Sequence, residues 1–332
     1  MSRIVRAVVL REFGRPMLVE EIDQPAPAAG QVLVRVVASG VNPLDTKIQA
    51  GQAAHARIRL PAVLGLDLAG VVAAVGPEVA GFEPGDEVYG LCGGVGDLPG
   101  SLAEYAAVDA RLLARKPRTL SMREAAALPL AAITSWEGLI DRAGVRAGQK
   151  VLVHGGSGGV GHVGVQLALA RNAEVYATGG PASLPVIESL GAVPIDYTST
   201  TVEEYVRRYT GGAGFDVIAD NVGGATLDAS FAAVRTYHGH VVSALGWGSH
   251  SLAPLSFRGA TYSGVFTLLP MLTGRGREHH GDILREVAAL AEAGALRPRL
   301  DPRPFTLDTV MDAHRLVAAG TAAGKVVVDV TG

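Results

Sequence analysis

The sequence contains a single cysteine, Cys92, which excludes an internal disulfide and any metal site built from several cysteines. Charged residues make up only 18% of its 332 residues and the formal net charge is −3, so its charge does not favour nucleic acid or an anionic membrane. No apolar run reaches the length of a membrane-spanning helix, and residues 1–13 lack the apolar core of a signal peptide. We therefore expect a cytoplasmic protein with no membrane or nucleic-acid partner.

Two patterns of secondary structure divide the chain. Residues 1–122 contain many short candidate strands separated by Gly- and Pro-rich turns, which is typical of a small, partly closed β-barrel. Residues 123–259 follow a capping box at Ser121–Glu124 and alternate strands with helices, which indicates a doubly wound parallel sheet. The alternation ends after Gly246, and we expect residues 260–332 to return and complete the first domain. The predicted fold class is α/β with two domains.

The segment from Lys150 to Ala170 carries the most specific motif. An apolar run, Lys150–His154, is followed at once by G-x-G-x-x-G and then by a mostly apolar helical pattern. In such a strand, turn and helix, the glycines let backbone N–H groups approach a pyrophosphate, and the helix N-terminus adds partial positive charge. The predicted dinucleotide site consists of Gly156, Ser157, Gly158, Gly159, Val160 and Gly161.

The end of the next strand bears on which dinucleotide binds. A carboxylate there would hydrogen-bond the ribose 2′-hydroxyl of NAD. The strand Glu174–Thr178 instead runs into Gly179-Gly180-Pro181, with no acid at its end. Because a 2′-phosphate then meets no negative charge, NADPH is favoured. No Lys or Arg follows closely to bind that phosphate, so the predicted preference is moderate.

Further motifs extend over almost the whole chain. They are V-N-P-L-D at 41–45, L-G-L-D-L-A-G at 64–70, P-G-D-E-V at 84–88, G-S-L-A-E-Y at 100–105, A-A-L-P at 126–129, T-S-W-E at 134–137, D-N-V-G at 220–223 and G-K-V-V at 324–327. Together with the glycine turn they resemble the zinc-independent quinone oxidoreductases, the zeta-crystallin-like branch of the medium-chain dehydrogenase/reductase superfamily. The resemblance implies a GroES-like barrel domain at 1–122 and 260–332, a Rossmann domain at 123–259, a cleft between them for the nicotinamide, and a homodimer.

The resemblance also predicts that no metal is bound. In zinc-using relatives a cysteine stands at the position of Asn42 and a histidine at that of Leu66, and catalytic zinc needs three protein ligands. His279 and His280 begin a polar helical segment and are expected at the surface. Without a metal nothing polarises an alcohol. We therefore expect hydride transfer from NADPH to an electron-poor acceptor, a quinone or an α,β-unsaturated carbonyl.

The resemblance assigns roles to individual residues. Asn42 is expected beside the nicotinamide, donating a hydrogen bond to the substrate carbonyl, although Asn-Pro also favours a turn. Asp45 is expected to have a supporting role, orienting the neighbouring backbone or Lys47, and Asn42 and Asp45 are the predicted catalytic residues. Tyr197 is expected at the adenosine 2′-phosphate and Lys325 at the cofactor phosphates. The other predicted coenzyme contacts, besides Asn42 and the glycine turn, are Thr134, Thr178, Gly179, Ser183, Asn221, Val222, Leu245, Val265, Phe266 and Thr267.

Alternatives stay open at this point. Plain core packing is an equal interpretation of Val265 and Phe266. The predicted cleft has no unmistakable acid or base, which leaves open a non-catalytic NADPH-binding protein, and the third possibility is a zinc-type alcohol dehydrogenase. Related enoyl-thioester reductases place a tyrosine after the Asn-Pro segment, whereas residues 51–55 offer only His55. Reduction of enoyl thioesters is therefore less favoured.

Overall fold

The computed structural model describes residues 3–331. Its internal contacts divide the chain into two compact units. One unit comprises the chain up to Leu130 together with the chain from Leu268, and the other is Ala131–Thr267. The two boundaries expected from the sequence, after residues 122 and 259, lie eight residues earlier in the chain.

The elements of both units are numbered along the chain. The strands are β1 (Ile4–Leu10), β2 (Leu18–Asp23), β3 (Gln31–Val41), β4 (Ala62–Val63), β5 (Asp67–Val75), β6 (Glu87–Leu91), β7 (Tyr105–Asp109), β8 (Leu113–Arg115), β9 (Lys150–Val153), β10 (Glu174–Gly179), β11 (Val193–Asp196), β12 (Val217–Asp220), β13 (His240–Ser243), β14 (Thr261–Gly264), β15 (Phe305–Thr306) and β16 (Val326–Asp329). The helices are α1 (Pro43–Gln49), α2 (Met122–Ala126), α3 (Pro129–Trp136), α4 (Gly161–Ala170), α5 (Leu184–Ser189), α6 (Val202–Thr210), α7 (Ala225–Ala233), α8 (Ala253–Arg258), α9 (Leu269–Thr273), α10 (Arg277–Glu292) and α11 (Val310–Ala318). Within residues 3–331 no helix combines the length and apolar character that crossing a membrane requires.

β3 is the central strand of the first unit. It pairs antiparallel with β5, β7 and β16, within a sheet of order β15-β16-β3-β5-β6-β8. Val32, Val34 and Val36 lie on one face of β3, because alternate residues of a strand share a face, and they pack on Leu68 and other buried side chains. A smaller sheet, β2-β1-β4, completes the unit. The predicted mostly-β domain is confirmed, and the C-terminal strand β16 does return to it.

The second unit is a six-stranded sheet in which every pair of neighbours is parallel. Its order, β11-β10-β9-β12-β13-β14, reverses direction between β9 and β12. Val151 and Val153 of β9 lie in one buried cluster and Leu152 in another, because helices cover both faces of the sheet. This is the doubly wound Rossmann order, in which ligands bind outside the carboxyl ends of the strands at the reversal point. The predicted fold class is confirmed.

The last strand of the parallel sheet corrects one expectation. We expected the chain to leave this unit after residue 259, but β14 pairs parallel with β13, Ser263 lying opposite Val242. The segment Thr261–Gly264 is too short and too polar to show a strand pattern by itself. Its place comes from the pairing with β13, and the chain returns to the first unit only from Leu268.

α11 contains a buried histidine that makes stability depend on pH. His314 is 3% exposed, neither ring nitrogen has a hydrogen-bond partner, and burial lowers its pKa to about 4. Since the unfolded chain takes up this proton near pH 6.5, the free energy of unfolding falls as the pH drops below 6.5, by about 2 kcal/mol at pH 5. We expect His314→Leu to remove this loss, measured by urea unfolding at pH 7.5 and pH 5. The exposed His279→Leu is the control, and an equal response of both variants would contradict the prediction.

Candidate functional site

The turn between β9 and α4 brings backbone closer together than a side chain permits. A Cβ on Gly161 would lie 2.0 Å from the carbonyl oxygen of Gly155, and a Cβ on Gly156 would lie 2.5 Å from the Cβ of Ala177. α4 begins behind this turn with no side-chain cap on its first N–H groups, and its residues up to Ala168 are buried. A glycine turn in front of an uncapped, buried helix N-terminus fits the pyrophosphate of a dinucleotide.

His154, the residue before the turn, was missed by the sequence analysis as part of the site. It is 3% exposed, and its Nδ1 lies 3.0 Å from Oγ1 of Thr178, which also accepts the N–H of Gly155 at 3.3 Å. Burial lowers the pKa of His154 to about 4, so the ring is neutral at physiological pH. Thr178 and His154 thus hold the start of the turn against β10. The two residues are 24 positions apart and meet because β9 pairs with β10.

Ser183 and Tyr197 both lie near the glycines at the end of β10. A Cβ on Gly179 would lie 2.7 Å from the Cβ of Ser183, and a Cβ on Gly180 would lie 3.7 Å from the Tyr197 hydroxyl. An acid that the sequence analysis did not weigh, Asp196, lies opposite Gly179 in the sheet. Its Oδ1 accepts hydrogen bonds from the N–H and hydroxyl of Thr198, which lower the pKa of Asp196. This carboxylate is therefore ionised, and one of its oxygens is already bonded to Thr198 in the following loop.

A small cavity of about 20 Å³ lies within the second unit. Three residues predicted to contact the coenzyme, Thr134, Asn221 and Val265, line it together. Thr134 and Val265 are each 7% exposed. Its wall is mostly apolar with a few polar groups. Val265 is thus a buried core residue that also forms part of the cavity wall.

Asp220 holds the loop that follows β12. Its carboxylate is 1% exposed and accepts the N–H groups of Val222 and Gly223 and the hydroxyl of Ser243, the last at 2.8 Å. Asn221 donates its side-chain N–H to the carbonyl of His154 at 3.1 Å. The predicted residues Val222, Leu245 and Phe266 are exposed or half-buried, and Thr267 is buried.

The first unit contains a buried polar cluster of four side chains, Asn42, Asp45, Asp67 and Lys325, each at most 5% exposed. Asn42 donates its side-chain N–H to Asp67 Oδ2 at 2.9 Å, and the Lys325 ammonium donates to Asn42 Oδ1 and lies 3.8 Å from Asp67 Oδ2. Asp45 accepts the backbone N–H of Asn42 at 2.8 Å, at the start of α1. Asn42 therefore precedes the first residue of α1, while its side-chain amide bonds Asp67 and Lys325.

The cluster contains two carboxyl groups, Asp45 and Asp67, but only one ammonium, Lys325. Burial raises the pKa of Asp45 to about 7 and that of Asp67 to about 6, and it lowers the pKa of Lys325. Asp67 accepts bonds from Asn42 and from the N–H of Leu130 at 2.9 Å, whereas Asp45 Oδ1 has no hydrogen-bond partner. We assign the ionised form to Asp67 beside Lys325, and the proton to Asp45, because a neutral oxygen costs less to bury unpaired than a charged one.

The structure therefore groups the predicted site residues by unit. Asn42, Asp45 and Lys325 lie together in the first unit with Asp67, which the sequence analysis did not select. The turn, the end of β10 and the cavity lie in the second unit. Lys325 is buried against an amide and a carboxylate, and its expected contact with the cofactor phosphates stays a prediction.

The residues at the position of the zinc ligands do not fit a metal. Asn42 Oδ1 faces the Lys325 ammonium, which would repel a cation, and Leu66 has no ligand atom. Within residues 3–331, no three side chains from His, Cys, Asp or Glu are grouped to hold an ion. The expectation that His280 lies at the surface was wrong: it faces the core from α10 and is 0% exposed.

Comparison with known proteins gives two family matches along the chain. Residues 28–118 match the family model "Alcohol dehydrogenase GroES-like domain" and residues 190–328 match "Zinc-binding dehydrogenase". A 2-methylene-furan-3-one reductase of Solanum lycopersicum is 39% identical over 90% of this chain and 71% of its own length. A human quinone oxidoreductase is 29% identical over 98% of both chains. The crystal structure of an alcohol dehydrogenase superfamily protein from Novosphingobium aromaticivorans is 53% identical, with a TM-score of 0.96 over 98% of this chain and 100% of that one.

A Rossmann unit with a dinucleotide turn, joined in one chain to a GroES-like unit, defines a nicotinamide-dependent oxidoreductase. This chain belongs to the medium-chain dehydrogenase/reductase superfamily, and the predicted resemblance to its quinone oxidoreductase branch is confirmed.

Proposed function

We propose that this protein is a zinc-independent, NADPH-dependent reductase of α,β-unsaturated carbonyls or quinones. The observation that carries the proposal is the Asn42–Asp67–Lys325 contact, which gives the site an amide donor and a fixed ammonium where a metal does not fit. The names of two relatives, a furanone reductase and a quinone oxidoreductase, support an acceptor of this class.

The reduced nicotinamide, when bound, supplies the hydride. Reduction places negative charge on the carbonyl oxygen of the acceptor, and a fixed N–H donor stabilises that charge most when it is already oriented. In our proposal Asn42 donates to this oxygen, and Asp45 holds the backbone of Asn42 in place through its N–H. The lining residues Thr134, Asn221 and Val265 orient the coenzyme and exclude water from the cavity.

The preference for NADPH rests on the end of β10. Ser183 and Tyr197 offer hydroxyl groups beside Gly179 and Gly180, and the neighbouring Asp196 is bonded to Thr198. We propose that the two hydroxyls bind the 2′-phosphate. The other predicted contacts, at the glycine turn and the loops after β12, β13 and β14, keep their proposed roles.

The experiment is turnover of NADPH with a panel of enones and quinones, followed by loss of absorbance of the reduced nicotinamide. We expect turnover of at least one acceptor class, and a lower kcat for Asn42→Ala with coenzyme affinity retained. Coenzyme binding without turnover of any acceptor would instead support the non-catalytic alternative. Stoichiometric zinc in the purified, active protein would support the alcohol dehydrogenase alternative.

Ser183→Lys should strengthen binding of NADPH selectively. The new ammonium would lie beside Gly179 and pair with the 2′-phosphate, and one partly exposed charge-assisted bond corresponds to about a five- to tenfold lower Kd. NADH lacks that phosphate, so its Kd should not change. The Kd values of both coenzymes, from fluorescence titration at low and high salt, test this. Equal tightening for both coenzymes would contradict the assigned place of the 2′-phosphate.

We also propose a cytoplasmic homodimer. β14 is the edge strand of the parallel sheet, and the exposed Phe257 (87%) and Tyr237 (79%) lie on segments next to it. Large exposed apolar side chains beside the free edge of a sheet are typical of an interface. Sedimentation at micromolar concentration should give twice the mass of one chain, and Phe257→Glu should reduce it.

A further inference from the structure

The amide of Asn42 is held between two groups of opposite charge. The Lys325 ammonium donates to Oδ1, and Asp67 Oδ2 accepts a hydrogen from Nδ2 at 2.9 Å. A flipped amide would turn its N–H groups towards the ammonium and its oxygen towards the carboxylate. Both new contacts would be repulsive, so the two partners permit a single orientation.

The partners of Asn42 are themselves fixed. The N–H of Leu130 donates to Asp67 Oδ1 at 2.9 Å, Asp67 starts β5, and Lys325 directly precedes β16. β5 and β16 both pair with β3, which leads into Asn42. Because Asp67 lies in β5 and Lys325 adjoins β16, the pairing of these two strands with β3 sets the amide orientation.

We propose that Asp67 and Lys325 are positioning residues that clamp the Asn42 amide so that its second Nδ2 hydrogen is presented to the substrate oxygen. Asp67 uses one of the two Nδ2 hydrogens, and Lys325 occupies the amide oxygen. The remaining hydrogen is the donor for the developing charge. The role at the substrate rests on the function proposed above, whereas the clamp itself does not.

A measurement without turnover tests the clamp. The chain has three asparagines, Asn42, Asn172 and Asn221, so selective ¹⁵N-asparagine labelling gives three side-chain amide pairs, and Asn42→Ala assigns one of them. We expect the Asn42 amide proton that bonds Asp67 to exchange at least about tenfold more slowly than the amide protons of the exposed Asn172. In Asp67→Leu/Lys325→Met, which removes both charges together and avoids burying either unpaired, the protection should be lost. Ser39→Ala, at a buried serine pair of the same sheet, should keep it.

Kinetics test the role of the clamp at the substrate. Asp67→Asn should lower kcat about tenfold to a hundredfold, because a misplaced donor stabilises the transition state poorly, while the Kd of NADPH changes less than twofold. Asp109→Asn is the matched control: Asp109 is a buried carboxylate of the same unit, bonded to Arg111 and Arg277, and its loss should leave kcat unchanged.

The outcomes separate this inference from the proposed function. Fast exchange of the Asn42 amide in the wild type overturns the clamp whatever the activity. An unchanged kcat in Asp67→Asn overturns the role of the clamp at the substrate. A weaker NADPH affinity as the sole effect of Lys325→Met also overturns that role, and it favours contact of Lys325 with the cofactor phosphates. A wild type that reduces no acceptor overturns the proposed function and the clamp's role at the substrate, and the exchange data still decide whether the clamp exists.

Discussion

Gly161→Ala should abolish most coenzyme binding. Its methyl group would lie 2.0 Å from the carbonyl oxygen of Gly155, which already accepts the N–H of Gly158 at 3.0 Å, and this bond shapes the turn. The methyl must push this backbone aside, and overpacking of this kind costs about 1–3 kcal/mol. If the turn alone absorbs that strain, the Kd of the coenzyme rises about tenfold to a hundredfold. Fluorescence titration with NADPH measures the effect, and thermal unfolding reports what the fold itself loses.

Gly158→Ala is the matched variant in the same turn. Its Cβ would meet only the Gly155 oxygen, at 3.2 Å, so a displacement of a few tenths of an ångström relieves the contact. We therefore expect a clearly smaller loss of affinity than for Gly161→Ala. Equal affinities in the two variants and the wild type would show that the coenzyme does not lie on this turn.

The dinucleotide turn could be predicted because its determinants are local. Strand, glycines and helix follow one another within Lys150–Ala170, and the close approach of Gly161 to Gly155 spans six residues. The capping box at Ser121 was predictable for the same reason: Ser121 and Glu124 exchange hydrogen bonds at 2.8 and 3.2 Å. The parallel, doubly wound sheet was predicted from the alternation of strands and helices along the chain, whereas its strand order comes from the structure.

The clamp on Asn42 could not be predicted because its determinants are distant. Lys325 is separated from Asn42 by 283 positions, and the two meet only because β16 pairs with β3. The same limit applies to β14, which depends on β13, and to His280, whose helix looks polar in sequence but buries one face. A residue's neighbours across a sheet are not visible in the spacing of one chain.

Asp45→Asn should make the protein less sensitive to alkaline pH. Burial raises the pKa of Asp45 from 3.8 to about 7, so the folded state binds a proton that the unfolded chain has already released. Asp45 therefore contributes stability that is complete below pH 3.8 and is lost as the pH rises through 7. Between pH 5 and pH 8 this loss amounts to about 3 kcal/mol. The variant carries no such proton, so its free energy of unfolding relative to the wild type should rise by that amount over the same range.

Urea unfolding at pH 5, 6.5 and 8 measures this difference, and comparison of the two proteins cancels the opposite contribution of His314. Asp301→Asn provides the contrast. Hydrogen bonds from Arg303 lower the pKa of Asp301, so its stabilisation is lost only in acid and the difference from the wild type should stay flat between pH 5 and pH 8. A flat difference for Asp45→Asn as well would mean that Asp45 is ionised beside Asp67 in the folded protein. Two carboxylates would then share the single ammonium of Lys325, and the proton that we assign to this cluster would not be there.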